Sequence, residues 1–310
     1  MVDWVSAASA AGAVGLFAVL WFRRAMATQT VAIVCFLLFL VAAVTAANLR
    51  SATIVGSPLL EHLAFRPAYL VHPADWWRAY TLVTTMFLHY DVLHIVANMV
   101  TLIFIGLPFE ERIGRGRWMM VYLGGGVLGT LLHSVYQLQQ GTGETFVVGA
   151  SGAFFAVLAA YATLYPRDPV VLFAIIIIPR APVYIAAVVY SGMQFFAIFR
   201  VPTNVATLAH VGGAIAGVLL APLVSYTLRR APVQAAARGV ELARLEDLAK
   251  TQEQRKLLAK LRENKDEPEL AKAWYEKFVA SLRCPECGDP CRDEGGVLRC
   301  PRGHETDLRG

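Results

Sequence analysis

Seven apolar stretches, at 4–22, 30–47, 93–109, 118–137, 151–165, 181–199 and 205–228, occupy most of the chain before Arg230. Most of them approach the ~20 residues an α-helix needs to cross ~30 Å of hydrocarbon. Lipid offers no partner to a bare amide or carbonyl, so such a chain must satisfy its backbone within each segment, as helices. The expected fold is therefore an all-α polytopic membrane protein with seven spans. The first stretch ends at Arg23-Arg24. A secretory signal carries its positive charge ahead of the apolar region, so this stretch reads as a retained span.

Charge follows the same plan. Charged residues make up 16% of the chain against 56% hydrophobic, and they concentrate after Leu228, separating an apolar body from a charged tail. If the spans alternate, Arg23, Arg24, Arg112, Arg115, Arg117, Arg167, Arg180, Arg229 and Arg230 fall on one side, while Arg50, Arg66, Arg78 and Arg200 lie more thinly on the other. The positive-inside tendency makes the first side cytoplasmic. The N-terminus and the 76–90 loop are then external, Ser151 lies in the outer half of the membrane, and the C-terminal tail is cytoplasmic. The net charge of +5 is carried largely by these flanking arginines, and no basic patch is interleaved with aromatics, so nucleic acid is not an expected partner. Cys35, alone in an apolar run, reads as a small packed hydrophobe.

Between spans, 50–90 is long and of mixed polarity, with Pro58, Pro67, Pro73 and Trp76-Trp77-Arg78, a composition suited to the membrane–water interface. Residues 110–117 read as a charged turn, and 170–178 as an approach segment to a helix that starts near 181.

Polar residues inside spans are costly and face a neighbour or a cavity. Ser151 stands between Gly149-Ala150 and Gly152 at the head of the fifth stretch. A serine in an apolar helix often does no more than bond back to a carbonyl one turn earlier. His94 and Asn98, four apart, share one helix face, and alone they would fit a structural pair or an incomplete metal site. His210 shares a face with Gly213 and Gly217, which allow another helix to approach closely. Taken together these residues supply the roles of acyl transfer. Ser151 would attack a carbonyl, and His210 would take its proton and return it to the leaving amine. The Ser151 N–H, His94 and Asn98 would hold the oxyanion. No intramembrane Asp or Glu offers itself as a third member, so a dyad is more economical than a triad. His133 reads as a packing residue, with water or substrate contact as the alternative.

The order of these residues resembles the rhomboid family of intramembrane serine proteases. The resemblance covers about 30–228 and rests on Trp77-Arg78, Phe87-Leu88-His89, His94-x-x-x-Asn98, Glu110 followed by Gly114, Gly149-x-Ser151-Gly152 and His210-x-x-Gly213-x-x-x-Gly217. It implies a six-helix core, with the span before Arg23 additional in a one-plus-six arrangement. It also implies Ser151 as nucleophile and His210 as base, with His94, Asn98, Gly149 and Phe155 on the oxyanion and substrate side. Phe155 stands where many relatives carry tyrosine, so ring packing persists while a hydroxyl contact is lost. Arg78, His89 and Glu110 are expected to make structural polar bonds. The implied partners are the lipid bilayer and single-pass transmembrane proteins as substrates, cleaved in the cell membrane without a catalytic cofactor. The rival reading is a non-catalytic rhomboid-like protein that binds unstable transmembrane helices; retention of both Ser151 and His210 favours the enzyme.

Beyond Pro232, Leu242, Leu245, Leu248, Leu257 and Leu258 recur at helical spacing among mixed charges, and Pro268 separates a second helix. A solvated amphipathic linker is the plain expectation, with a helical hairpin as the alternative. Cys284-Pro-Glu-Cys287-Gly and Cys300-Pro-Arg-Gly-His304 resemble the two knuckles of a zinc ribbon. Tetrahedral Zn²⁺ takes four such ligands, and Cys291 is a fifth candidate that could replace His304. Disulfides are the alternative, but thiols on the cytoplasmic side stay reduced. The expected division is an extra segment at 1–29, the membrane core at 30–230, a helical linker at 231–282 and the zinc-ribbon-like module at 283–310. A cytosolic partner for the tail, a structural cap and a regulatory role stay open.

Overall fold

The computed structural model describes residues 3–46, 53–173, 176–200, 207–230, 242–264, 268–294 and 296–308. Arg50 and the first part of the expected linker, 231–241, lie outside the described residues. The chain divides into two compact units, Met1–Val224 and Ser225–Gly310.

The first unit is a helical membrane body. Helices α1 (Trp4–Phe22) and α2 (Ala27–Thr45) are followed by two short ones, α3 (Pro58–Leu63) and α4 (Thr81–Thr84), set among 3-10 turns. Then come α5 (Val92–Ile113), α6 (Arg115–Gln139), α7 (Ser151–Leu164), α8 (Val183–Arg200) and α9 (Thr207–Arg230). Five helices are long and apolar enough to cross a membrane, and α7 and α8 are the shorter apolar helices among the described residues. These seven correspond to the seven apolar stretches. Helix α7 has 14 residues, a rise of about 21 Å, which falls short of the ~30 Å hydrocarbon depth. Its residues Gly152 to Leu158 are all buried, as befits a helix that is apolar all round.

Two expectations are corrected. The charged turn at 110–117 is instead mostly helix, because α5 continues through Pro108 to Ile113 and reverses only at Gly114. Glu110, 2% exposed, drives this. Its carboxyl oxygens accept the Ala27 amide at 2.6 Å, the Thr28 amide at 2.8 Å and the Thr28 hydroxyl at 2.7 Å. A residue that looks like part of a solvated turn therefore caps the start of α2, whose first amides have no partner within the helix. The approach segment is a β-hairpin, β1 (Pro169–Phe173) paired antiparallel with β2 (Ile177–Pro182). The same end of the body is tied by further polar contacts. Arg112 makes a two-pronged ion pair with Asp168 at 2.9 and 3.1 Å, the Tyr161 hydroxyl donates to Asp168, and Arg115 donates to the Trp21 carbonyl. The ends of α1, α5 and α7 and the start of α6 thus meet, as alternating spans require.

At the other end, Arg78 donates to the Tyr69 hydroxyl and the Glu61 carbonyl. Trp76 and Trp77 are exposed, as suits aromatic rings at the headgroup level. Cys35 is fully buried among apolar neighbours.

The second unit corrects the solvated-linker expectation. Helices α10 (Leu242–Leu248), α11 (Gln252–Glu263) and α12 (Pro268–Ser281) pack with a three-stranded antiparallel sheet, β3 (Arg292–Asp293), β4 (Val297–Arg299) and β5 (Glu305–Asp307). Leu245, Leu258, Phe278, Leu298 and Leu308 form one shared core. The leucine spacing that marks an amphipathic helix is used to bury this face against the cysteine-rich end. Thr251 and Gln254 close a reciprocal capping box on α11. The Tyr275 hydroxyl donates to Asp293 at 3.1 Å; burial, with the Asp293 carboxylate beside it, pushes this phenol above its usual range.

Glu110→Ala should lower the midpoint of thermal unfolding in detergent, at a cost of about 3 kcal/mol, because two buried amides lose a charged-type acceptor. An unchanged midpoint would show that the cap contributes nothing.

Candidate active site

The site begins with a backbone approach. A Cβ built on Gly213 of α9 would lie 2.0 Å from the Gly152 carbonyl oxygen of α7, and one on Gly217 would lie 2.2 Å from the Ala156 carbonyl oxygen. The two contacts repeat at the same four-residue step on both helices, so α7 and α9 run side by side with their backbones touching. Only residues without a side chain permit this approach. The head of α7 is thereby set against the first turns of α9, and His210 Nε2 reaches Ser151 Oγ at 2.6 Å. The Phe155 ring, one turn along α7, stacks on the His210 imidazole at 4.9 Å between centroids and 20° between planes. The second imidazole nitrogen, Nδ1, meets Gln194 Oε1 of α8 at 2.8 Å.

The chain just before Ser151 is held by bolts from the 85–89 segment. The Gly149 amide donates to the Thr85 carbonyl, the Ala150 amide to His89 Nε2, and the Thr85 hydroxyl to the Val147 carbonyl. Gly149 has φ +126°, a backbone setting that strains any residue with a Cβ. Ala150, at the start of α7, makes no side-chain cap hydrogen bond, so the first-turn amides have no capping partner from it.

His94 and Asn98 lie on α5 across from this turn. His94 Nδ1 accepts from the Tyr90 amide at 3.4 Å, which puts the ring proton on Nε2. That nitrogen lies 2.8 Å from where a Gly149 Cβ would stand, so it faces the Gly149–Ser151 turn as a donor. Asn98 uses one amide hydrogen on the His94 carbonyl at 2.8 Å and has a second to offer. Ser151, His210, His94, Asn98 and Phe155 line one cavity of about 810 Å³. His133 and Gln137, one turn apart on α6, line it as well; His133 Nδ1 and Gln137 Oε1 are buried with no hydrogen-bond partner among the described residues.

Ser151, His210, His94, Asn98, Gly149 and Phe155 are thus brought together, while the sequence reading singles out neither Gln194 nor Gln137. Gln194 belongs to none of the motifs. Its only mark in the sequence is that it is the sole amide in an otherwise apolar stretch. Chemically, the constellation holds a hydroxyl within proton-transfer reach of an imidazole and a set of N–H donors near the same atom.

A second cluster lies in the C-terminal unit. The ligand atoms of Cys284, Cys287, Cys300 and His304 all lie within 4.8 Å of one another. Cys287 Sγ is 3.6 Å from Cys300 Sγ, and His304 Nδ1 is 3.6 Å from Cys284 Sγ and 3.4 Å from Cys300 Sγ. A tetrahedral zinc centre with Zn–S of ~2.3 Å and Zn–N of ~2.0 Å sets such separations at about 3.5 to 3.8 Å, and a disulfide needs about 2 Å. The residues fit the metal. His304 Nε2 turns outward to Glu286 at 3.2 Å, the outer carboxylate partner that orients a metal-binding imidazole. Cys291, the alternative ligand, stands outside this group and packs against the hydrophobic core instead.

The family model described as Rhomboid domain matches residues 73–227, half of the chain. RHOMBOID-like protein 2 of Arabidopsis thaliana is 41% identical over 28% of this chain and 25% of its own length. RHOMBOID-like protein 5 of the same plant is 30% identical over 53% of this chain and 48% of its own. Rhomboid protease GluP of Bacillus subtilis (strain 168) is 28% identical over 48% of this chain and 26% of its own. The chain therefore matches at most about half the length of these relatives. The match to the family model takes in His94, Asn98, Ser151 and His210 and ends before the cysteine cluster.

Gly213→Ala should destabilise the body by about 1 to 3 kcal/mol, because its Cβ meets backbone that cannot move aside. Gly192→Ala on α8, where a Cβ meets nothing within 4 Å, should not. Thermal unfolding of the two variants side by side checks the difference, and equal midpoints would contradict the tight contact.

Proposed function

This chain belongs to the rhomboid family, and on that premise we propose that it is an active intramembrane serine endopeptidase. The observation that carries the reading is the 2.6 Å approach of His210 Nε2 to Ser151 Oγ beneath the stacked Phe155 ring. As the Ser151 oxygen attacks the scissile carbonyl carbon, its proton passes to His210. Negative charge then collects on the carbonyl oxygen, where the Ser151 N–H, His94 Nε2 and the free Asn98 amide hydrogen stabilise it. His210 returns the proton to the leaving amine, and water hydrolyses the acyl-enzyme with His210 again taking a proton. The cavity walls include Asp91, Glu144 and Thr145, polar groups that support entry of water.

The substrates in this reading are single-pass transmembrane proteins, cut where a segment leaves its helix. The protein resides in the cell membrane with its N-terminus external and its C-terminal tail cytoplasmic. Residues 30–230 form the protease core behind the extra segment at 1–29. Retention of both Ser151 and His210 at bonding distance supports catalysis over a purely helix-binding role.

The C-terminal cluster, in the same proposal, holds one structural Zn²⁺ through Cys284, Cys287, Cys300 and His304. The metal would clamp the two knuckles together and lend the small sheet its stability.

Ser151→Ala should abolish cleavage of a transmembrane substrate with a helix-weakening segment. His210→Ala should lower turnover by about 10²- to 10⁴-fold with the thermal midpoint preserved. Wild-type cleavage rates in Ser151→Ala would show that Ser151 is not the nucleophile, and absence of cleavage by the wild type would leave the helix-binding role. Metal analysis of the purified chain should find about one zinc per molecule, falling sharply in a Cys284→Ser, Cys300→Ser double variant; equal content in both proteins would exclude this site.

A further inference from the structure

We propose that Gln194 is a positioning residue for the reaction, holding His210 in the tautomer and orientation that let it act on Ser151. The inference rests on the protease reading above and extends it. The His210 imidazole is held on three sides. Phe155 covers one face, Ser151 Oγ meets Nε2 at 2.6 Å, and Gln194 Oε1 meets Nδ1 at 2.8 Å. An imidazole that accepts a hydroxyl proton at Nε2 must carry its own proton on Nδ1. An amide oxygen can only accept, so Gln194 Oε1 facing Nδ1 selects that tautomer and leaves the Nε2 lone pair aimed at the serine. This is the orienting task of the third member of a hydrolytic triad, performed by a neutral group.

The neutrality has a physical reason. Among the described residues no Lys or Arg lines the cavity, so a carboxylate in this place would lie at membrane depth without a countercharge from them, at high cost. An amide provides the same directed acceptor without that penalty. The contact also crosses between helices, from α8 to α9, so the orientation of the base depends on α8 keeping its place.

The test compares the full chain in detergent as wild type, Gln194→Met, Gln194→Glu and Ser151→Ala. It follows kcat and KM on a transmembrane substrate, the rate of covalent labelling by a fluorophosphonate, and the unfolding midpoint. Gln194→Met keeps the side-chain length without the acceptor. It should lose about 10- to 100-fold in kcat with KM within about threefold, and its labelling should slow in parallel. Gln194→Glu restores an oxygen at the same reach and should recover kcat to within about tenfold of wild type. Wild-type kcat in Gln194→Met, or an equal loss in folded Met and Glu variants, overturns the proposal and reduces Gln194 to packing. If Gln194→Met fails to fold, the folded Glu variant decides, near-wild-type kcat supporting the role and inactivity overturning it. A wild-type chain with no Ser151-dependent cleavage or labelling overturns the protease reading itself, and Gln194's role with it.

Discussion

Everything at the candidate site depends on α7 and α9 touching backbone to backbone. In lipid there is little hydrophobic force to drive two helices together, so association rests on packing and on polar contacts between them. Gly213 and Gly217 remove the side chains that would hold the axes apart, against Gly152 and Ala156. Once the axes are this close, an imidazole at His210 and a hydroxyl at Ser151 reach each other without bending either helix. A larger residue at Gly213 would move both groups at once, so the packing and the chemistry cannot be separated.

Polar groups within the body carry the rest of the architecture, and several of them join separate segments. Glu110 closes the start of α2, Thr85 and His89 hold the turn that precedes Ser151, and Gln194 links α8 to α9. Each bond satisfies a group that lipid would leave bare. His133 Nδ1 and Gln137 Oε1 differ, since both are buried without a hydrogen-bond partner among the described residues and both line the cavity. Two unpaired polar atoms thus stand in the same cavity as the serine.

The C-terminal unit solves a different problem. Its sheet is three short strands, too small to form a core alone, and it acquires one by packing Leu298 and Leu308 against the helices that carry Leu245, Leu258 and Phe278. The cysteine–histidine cluster then pins the ends of the two knuckles. Apolar burial thus stabilises a region that composition alone suggests is solvated.

The seven apolar helices are legible from residue order alone, because their length and hydropathy answer to a solvent with no hydrogen-bonding capacity. Ser151, His210, His94 and Asn98 were also legible, since a polar group in an apolar run is costly enough to demand a role. The cysteine and histidine spacing likewise marked its cluster, because the knuckle geometry is local. The remainder emerges from contacts between segments far apart in the chain. Glu110 looks like a solvated turn until Ala27 and Thr28, more than 80 residues away, bring it their amides. The linker helices look solvated until the sheet covers their leucine face, and Cys291 looks like a ligand until that core takes it. Gln194 leaves almost no sequence signal, because an amide acquires its meaning from the atom it faces, and that atom belongs to another helix.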